Sequence, residues 1–170
     1  MRKVLVMIMM SALLLAGCGT TTTTKDDKET TTAQDKSGFS YTVNGVTIPV
    51  GKDFSGALLK LGEPDEYNEA ASCYFDGMDK QYYYDGFEIK TYPVGDKDYV
   101  QDICISKDSY STPEGVTVGS TLDDVLKAYG DGYSQTGKMY NYYVSENEYM
   151  YFFIMNDVVK YFGYAVNATN

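Results

Sequence analysis

The chain has 170 residues, a formal net charge of −10 and neither histidine nor tryptophan. Such acidity excludes the basic surface that nucleic acids and anionic lipid headgroups require. Without histidine, Ser-His-Asp and Cys-His catalysis within the chain and most zinc sites are excluded. The sequence predicts no catalytic residue, no cofactor and no metal site.

The N-terminal segment has the layout of a bacterial export signal. Two basic residues precede an apolar run from Val4 to Ala16 that is too short to span a bilayer, and Leu15-Ala16-Gly17-Cys18 ends the run. The tetrapeptide resembles the lipobox of bacterial lipoproteins, in which the cysteine thiol is alkylated by diacylglycerol. The resemblance implies a signal peptide at 1–17 and a lipidated Cys18 that anchors the protein to the cell membrane on its extracytoplasmic side. A plain secretory signal and a buried apolar helix are the alternatives.

Residues 18–37 are predicted to be a linker. After Cys18 the segment is rich in threonine and contains no aliphatic residue larger than alanine. It therefore buries too little apolar surface to offset the entropy cost of ordering. We expect a disordered linker between the lipid anchor and one domain formed by residues 38–170.

Two β-hairpins are predicted from their turns. Asn44-Gly45 joins two short β-rich runs, and Asp85-Gly86 joins the aromatic runs 82–84 and 87–89. Within a further predicted strand at 99–105, alternation places Gln101 on the same face as Ile103 and Ile105. Two long strands are predicted at 148–155 and 158–166, separated by Asn156-Asp157.

Two segments have helical periodicity instead. Apolar residues recur at i, i+3, i+4 and i+7 from Phe54 to Leu61 and again from Leu122 to Tyr129. Each run ends at a glycine, Gly62 or Gly130, as expected just after a helix. Thr121 with Asp124 predicts a cap at the start of the second helix.

The two helical segments match each other at an offset of 68 residues. Seven positions correspond, from Val50 with Val118 to Gly62 with Gly130, and aromatic strands follow both copies. We interpret the match as an internal duplication with repeats at about 46–112 and 113–170. The predicted fold class is α+β, with two tandem copies of a helix packed on an antiparallel β-sheet.

The segments VGKDFSGALLKLGEP (50–64) and VGSTLDDVLKAYG (118–130) resemble the tandem repeat of the β-lactamase inhibitory protein family. They are also similar to the single-repeat fold of the BamE-like outer-membrane assembly lipoproteins. The resemblance implies a concave, aromatic-rich binding surface and a contact residue of the kind found at Tyr84-Asp85-Gly86. The chain departs from the inhibitors because it has a cysteine pair in the first copy only and lacks tryptophan.

Cys73 and Cys104 are the cysteines that remain when Cys18 carries lipid. Outside the cytoplasm such a pair predicts a disulfide, which would close a loop of about 30 residues. Two separate thiols are the alternative.

The 18 tyrosines are the unusual feature of the predicted domain. Tyrosine is enriched at protein interfaces, although it is also a good strand former that needs no ligand. We expect contacts on the sheet face away from the helices. The candidate binding residues are Tyr82, Tyr84, Asp85, Tyr149 and Tyr151.

The predicted function is that of a membrane-anchored lipoprotein acting as a non-catalytic, inhibitor-like protein-binding module. Its expected partners are the membrane, through the lipid, and an extracytoplasmic protein, with no nucleic acid. The alternative is a lipoprotein that binds cell-wall glycan or a small solute, because exposed tyrosine rings stack on sugars as well as on proteins.

Cys18→Ser tests the lipoprotein hypothesis. Because the thiol is the group that is alkylated, the variant should remain uncleaved or leave the membrane fraction, as measured by cell fractionation and the mass of the purified chain. A variant that is cut before residue 18 and stays membrane-bound would contradict the hypothesis.

Overall fold

The computed structural model describes residues 39–168. The predicted signal peptide at 1–17, the lipidation site Cys18 and the linker at 18–37 lie outside the described residues. Among residues 39–168, no helix is both long enough and apolar enough to cross a bilayer.

The described residues form ten strands and two short helices. In chain order they are β1 (Ser40–Val43), β2 (Val46–Pro49), α1 (Ser55–Leu61), β3 (Glu66–Ala71), β4 (Met78–Tyr84), β5 (Phe87–Val94), β6 (Lys97–Ile105), α2 (Leu122–Tyr129), β7 (Ser134–Thr136), β8 (Met139–Tyr143), β9 (Glu148–Met155) and β10 (Val158–Val166).

Every strand after α1 belongs to one antiparallel sheet. β1 and β2 form a separate hairpin, and the other eight strands pair in the order β3-β4-β5-β6-β10-β9-β8-β7. At the centre, β6 lies beside β10 with Cys104 opposite Gly163 and Asp102 opposite Ala165. This pairing, called the central seam below, joins the strands that follow α1 to those that follow α2.

The predicted α+β fold class, with two copies of a helix packed on a sheet, is wrong. Strands make up 52% of the structure and helices 12%, and the strands after both helices join one eight-stranded sheet. The helices have only seven and eight residues. The predicted fold assigned too large a share to these helices. The outermost strands, β3 and β7, consist of exposed residues without apolar alternation, so sequence patterns did not indicate them. The repeat boundaries at about 112–113 stay a prediction.

The local turn predictions are confirmed. Asn44 and Gly45 both have positive φ (50° and 76°), as a type I′ hairpin turn requires. Asn156 and Asp157 do the same at 55° and 62° between β9 and β10. Between β4 and β5, in contrast, only Gly86 has a positive φ, so this turn differs in type from the other two.

Both predicted helices and their ends are confirmed as well. Gly62 and Gly130 follow α1 and α2, with φ of 79° and 78°, and each backbone N–H donates to a carbonyl in the last helical turn. At the start of α2, Thr121 and Asp124 form a reciprocal capping box. The N-cap residue of α1, Phe54, makes no side-chain capping hydrogen bond.

One side of the sheet, called the core face, packs against the helices and the β1–β2 hairpin. Phe54, just before α1, contacts Tyr82 with ring centroids 5.1 Å apart, and Tyr129 of α2 contacts Phe152 at 5.3 Å. One buried row crosses six strands of this face in register: Tyr82, Ile89, Ile103, Tyr164, Met150 and Tyr142.

A β-bulge changes which residues of β6 face the core. Lys90 pairs with Asp102 but Thr91 pairs with Val100, so Gln101 is an extra residue without a partner on β5. The prediction that Gln101 shares a face with Ile103 is therefore wrong. Val100 and Ile103 are buried in the core, and Gln101 lies with Asp102 on the opposite side of the sheet.

Candidate binding site

The side of the sheet opposite the core face lines an open cavity of about 1290 Å³. Its lining runs from β4, which lies next to the edge strand β3, to β7 at the opposite edge of the sheet. Strands so far apart in the sheet line one cavity only if the sheet curves towards it, and this side is called the concave face. No helix of the described residues lines the cavity.

Aromatic side chains cover the part of the concave face formed by β8, β9 and β10. Neighbouring centroids lie 4.7–6.4 Å apart, within the range of direct ring contact. The outermost ring, Tyr143, is 51% exposed. This aromatic row consists of Tyr143, Tyr149, Tyr151, Tyr161 and Phe153.

Charged side chains occupy the part formed by β5 and β6. Lys90 Nζ lies 3.1 Å from Glu88 Oε1 and 3.9 Å from Asp102 Oδ2. The register places Lys90 directly opposite Asp102, and Glu88 opposite Cys104. One lysine thus neutralises two carboxylates only in part, and this half of the face keeps a formal charge of −1.

Tyr151 connects the two halves across the central seam. Its hydroxyl donates to Asp102 Oδ1 at 2.8 Å, although β10 lies between β9 and β6. Gly163 of β10 makes this possible, since a Cβ there would overlap the Tyr151 ring and the Ile103 carbonyl oxygen. Ala165, opposite both Asp102 and Tyr149, is similarly small. Small residues on β10 therefore let the β9 tyrosines reach the β6 carboxylate.

Burial changes the ionisation of the polar groups at the seam. Desolvation raises the pKa of Asp102 to about 6, and the Tyr151 hydrogen bond and Lys90 only partly oppose it. The carboxyl is therefore mostly ionised at pH 7, although its side chain is only 17% exposed. Burial and the nearby Asp102 charge also raise the pKa of the Cys104 thiol to about 12, so the thiol stays protonated at neutral pH.

The structure separates the candidate binding residues into two groups. Tyr149 and Tyr151 lie on the concave face. Tyr82 is buried in the core, where it contacts Phe54, so it does not lie on the concave face. Tyr84 shares that strand parity, and its hydroxyl donates to the Gly62 carbonyl at 3.2 Å, but its side chain also borders the cavity at the end of β4.

Asp85, the fifth candidate, lies at the tip of the β4–β5 hairpin with its side chain 82% exposed. It pairs with Lys107 at 2.5 Å, and it does not line the cavity of the concave face. The exposure that the turn predicts is thus present, but the structure does not bring Asp85 together with Tyr149 and Tyr151.

The predicted disulfide between Cys73 and Cys104 is wrong, because both cysteines are free thiols. Cys104 pairs with Glu88 of β5, Glu88 pairs with Tyr83 of β4, and Tyr83 pairs with Glu66 of β3. Cys104 and Glu66 therefore lie at the same level of the sheet, three strands apart. β3 ends at Ala71, which strand spacing places about 20 Å from Cys104, and Cys73 lies beyond it in the connection to β4. A disulfide requires Cα atoms about 4.4–6.8 Å apart.

Glu88, Lys90 and Asp102 are site residues that were not predicted from the sequence. Glu88 and Lys90 alternate with buried residues on β5, a pattern that predicts polar side chains pointing away from the core, whereas Asp102 follows the polar Gln101 and lacks that pattern. The sequence alone does not show that these charges lie beside the aromatic row, because the bulge at Gln101 and the pairing of β6 with β10 bring them there. Neither is local to the sequence.

Comparison with known protein families, characterised proteins and solved structures finds no match for this chain. The resemblance to the β-lactamase inhibitory protein family and the BamE-like lipoproteins therefore stays a prediction. Among residues 39–168, no group of three or more acidic or cysteine side chains is placed to hold a metal ion.

Gly163→Ala tests the packing of Tyr151 across the seam. The added methyl group overlaps a backbone oxygen and the ring, so we expect a loss of about 2 kcal/mol or more in the free energy of unfolding. Gly132→Ala is the matched control, because nothing lies within 4 Å of its Cβ position. Equal stabilities of the two variants in denaturant titrations would show that Tyr151 does not occupy this position.

Asp102→Asn tests the buried charge. A folded-state pKa of about 6, above the ordinary value of 3.8, gives stability that is present below pH 4 and lost as the pH rises through 6. Between pH 4 and 7, the wild type should lose about 2–3 kcal/mol relative to the variant. Denaturant titrations at both pH values measure the difference, and parallel stability profiles would contradict the raised pKa.

Proposed function

We propose that this chain is a non-catalytic, membrane-anchored lipoprotein of the cell envelope that binds another extracytoplasmic protein on its concave face. The partner contributes a convex segment, such as a loop or hairpin, that fills the cavity. Lipidation at Cys18 holds the binding domain close to the membrane.

The observation that carries the proposal is the size and span of the cavity. Its volume of about 1290 Å³ exceeds the roughly 300–1,000 Å³ typical of small-molecule sites, and it extends from β4 to β7. A segment of a macromolecule fills such a surface better than a single solute does. This favours the protein-binding hypothesis over the small-solute alternative.

The aromatic row supports the same proposal. Tyr143 is half-exposed, and Tyr149 and Tyr161 are partly buried, so each ring is held in place while one side remains accessible. Tyrosine rings provide large contact areas and lose little conformational entropy on binding. Packing against neighbouring rings reduces that loss further.

The ionisation of the buried groups favours binding over catalysis. Cys104 lines the cavity, and its raised pKa leaves little thiolate at neutral pH. Burial beside Asp102 and Cys104 likewise raises the pKa of the Tyr151 hydroxyl. Both groups are therefore poor nucleophiles and poor general bases at pH 7.

Capture from a membrane-envelope extract tests the proposal. The probe is the predicted mature chain, residues 18–170 with Cys18→Ser, which contains all of the described residues 39–168. We expect the wild type to retain a discrete protein, and the double variant Tyr143→Ala/Tyr149→Ala to lose it. Tyr67→Ala is the control, because Tyr67 is also a partly exposed strand tyrosine but contacts Tyr82 of the core face.

The same variants separate the two classes of partner. Soluble muropeptides are added to the wild type and to the double variant, and binding is measured by calorimetry. Muropeptide binding that depends on the two rings, without protein capture, would replace the proposal with the glycan alternative. Protein capture that survives in the double variant would exclude the concave face as the site.

A further inference from the structure

We propose that the concave face receives an arginine side chain of the partner protein, at the boundary between the aromatic row and Asp102. This inference rests on the proposed function and names the chemistry of the partner segment. The guanidinium would lie against the Tyr149 ring and donate hydrogen bonds to the Asp102 carboxylate.

The charge balance of the cavity favours a cationic group. Among residues 39–168, the charged residues that line it are Glu88, Lys90 and Asp102. Lys90 lies close to Glu88, at 3.1 Å, and is farther from Asp102, at 3.9 Å. The excess negative charge is therefore centred on Asp102, and a second cation would neutralise it.

The hydrogen bonding of Asp102 indicates where that cation fits. Oδ1 accepts the Tyr151 hydroxyl at 2.8 Å. Within the described part of the chain, the nearest cation to Oδ2 is Lys90 Nζ at 3.9 Å, beyond hydrogen-bond distance. A largely buried carboxylate normally accepts several hydrogen bonds, and this one retains acceptor capacity that a ligand can use.

The neighbouring rings distinguish arginine from lysine. In the register, only Ala165 lies between Tyr149 and Asp102. Burial is the main cause that raises the pKa of the Tyr149 hydroxyl, and the Asp102 charge is the next. A planar guanidinium stacks on an aromatic ring while its edge pairs with a carboxylate. An ammonium group is a point charge that lacks this planar stacking and bidentate geometry, so it fits this boundary less well.

An NMR titration with N-acetyl-arginine amide tests the inference on residues 18–170 carrying Cys18→Ser. N-acetyl-citrulline amide is the matched probe, since it has nearly the same shape and no charge. The arginine probe should shift amide signals of β6, β9 and β10 around Asp102 in a saturable manner, and the citrulline probe should not. N-acetyl-lysine amide should bind at least threefold more weakly than the arginine probe.

Two substitutions move the affinity in opposite directions. Asp102→Asn removes the charge and should weaken arginine binding at least tenfold, whereas Asp85→Asn at the hairpin tip should leave it unchanged. Lys90→Gln removes the competing cation and should strengthen binding severalfold, which keeps the inference testable if Asp102→Asn alters the fold. Equal binding of arginine and citrulline probes, or an unchanged affinity in Lys90→Gln, would overturn it.

Failure of this inference is distinguishable from failure of the proposed function. If Asp102→Asn still captures the envelope protein while Tyr143→Ala/Tyr149→Ala does not, the concave face binds a protein without an arginine at Asp102. If the double tyrosine variant also captures the envelope protein, the concave face is not the binding surface, and both the proposed function and this inference are wrong.

Discussion

The structure depends on the pairing of β6 with β10 and on the tyrosine that crosses it. Four residue pairs join the two strands, and the Tyr151 hydroxyl passes over Gly163 to reach Asp102. Without this seam, the strands after α1 and those after α2 would form two four-stranded sheets, each with an additional exposed edge. With it, one sheet has a continuous core face and a continuous concave face.

Residues of β6 on the core face are apolar, whereas residues on the concave face are polar. On β6, Val100, Ile103 and Ile105 are fully buried in the core, whereas Asp102 and Cys104 line the cavity. A charged group at the seam costs stability, since desolvation disfavours the ionised form. The raised pKa of Asp102 records that cost. A cationic partner would offset it on binding, so the feature that weakens the isolated domain favours the complex.

Short sequence motifs predicted the turns and the helix ends, but they did not predict the pairing between strands that are distant in the chain. Asn44-Gly45, Asn156-Asp157 and the glycines after the helices each act within a few residues, so their turns and helix ends could be read directly. The bulge at Gln101 and the seam at Gly163 depend on partners far along the chain. Tyr82 was assigned to the binding surface because alternation gives the parity of a strand but not which parity faces the core.

The central claim is that the concave face contacts another protein while the chain is anchored in the envelope. Site-specific photocrosslinking in cells tests it most directly, with p-benzoylphenylalanine placed at Tyr143 or at Leu59 in the full-length chain. Leu59 of α1 is 85% exposed and does not line the cavity, whereas Tyr143 does. The account predicts a discrete crosslinked protein from position 143 and none from position 59. A crosslink from position 59 alone, or none from either position, would contradict it.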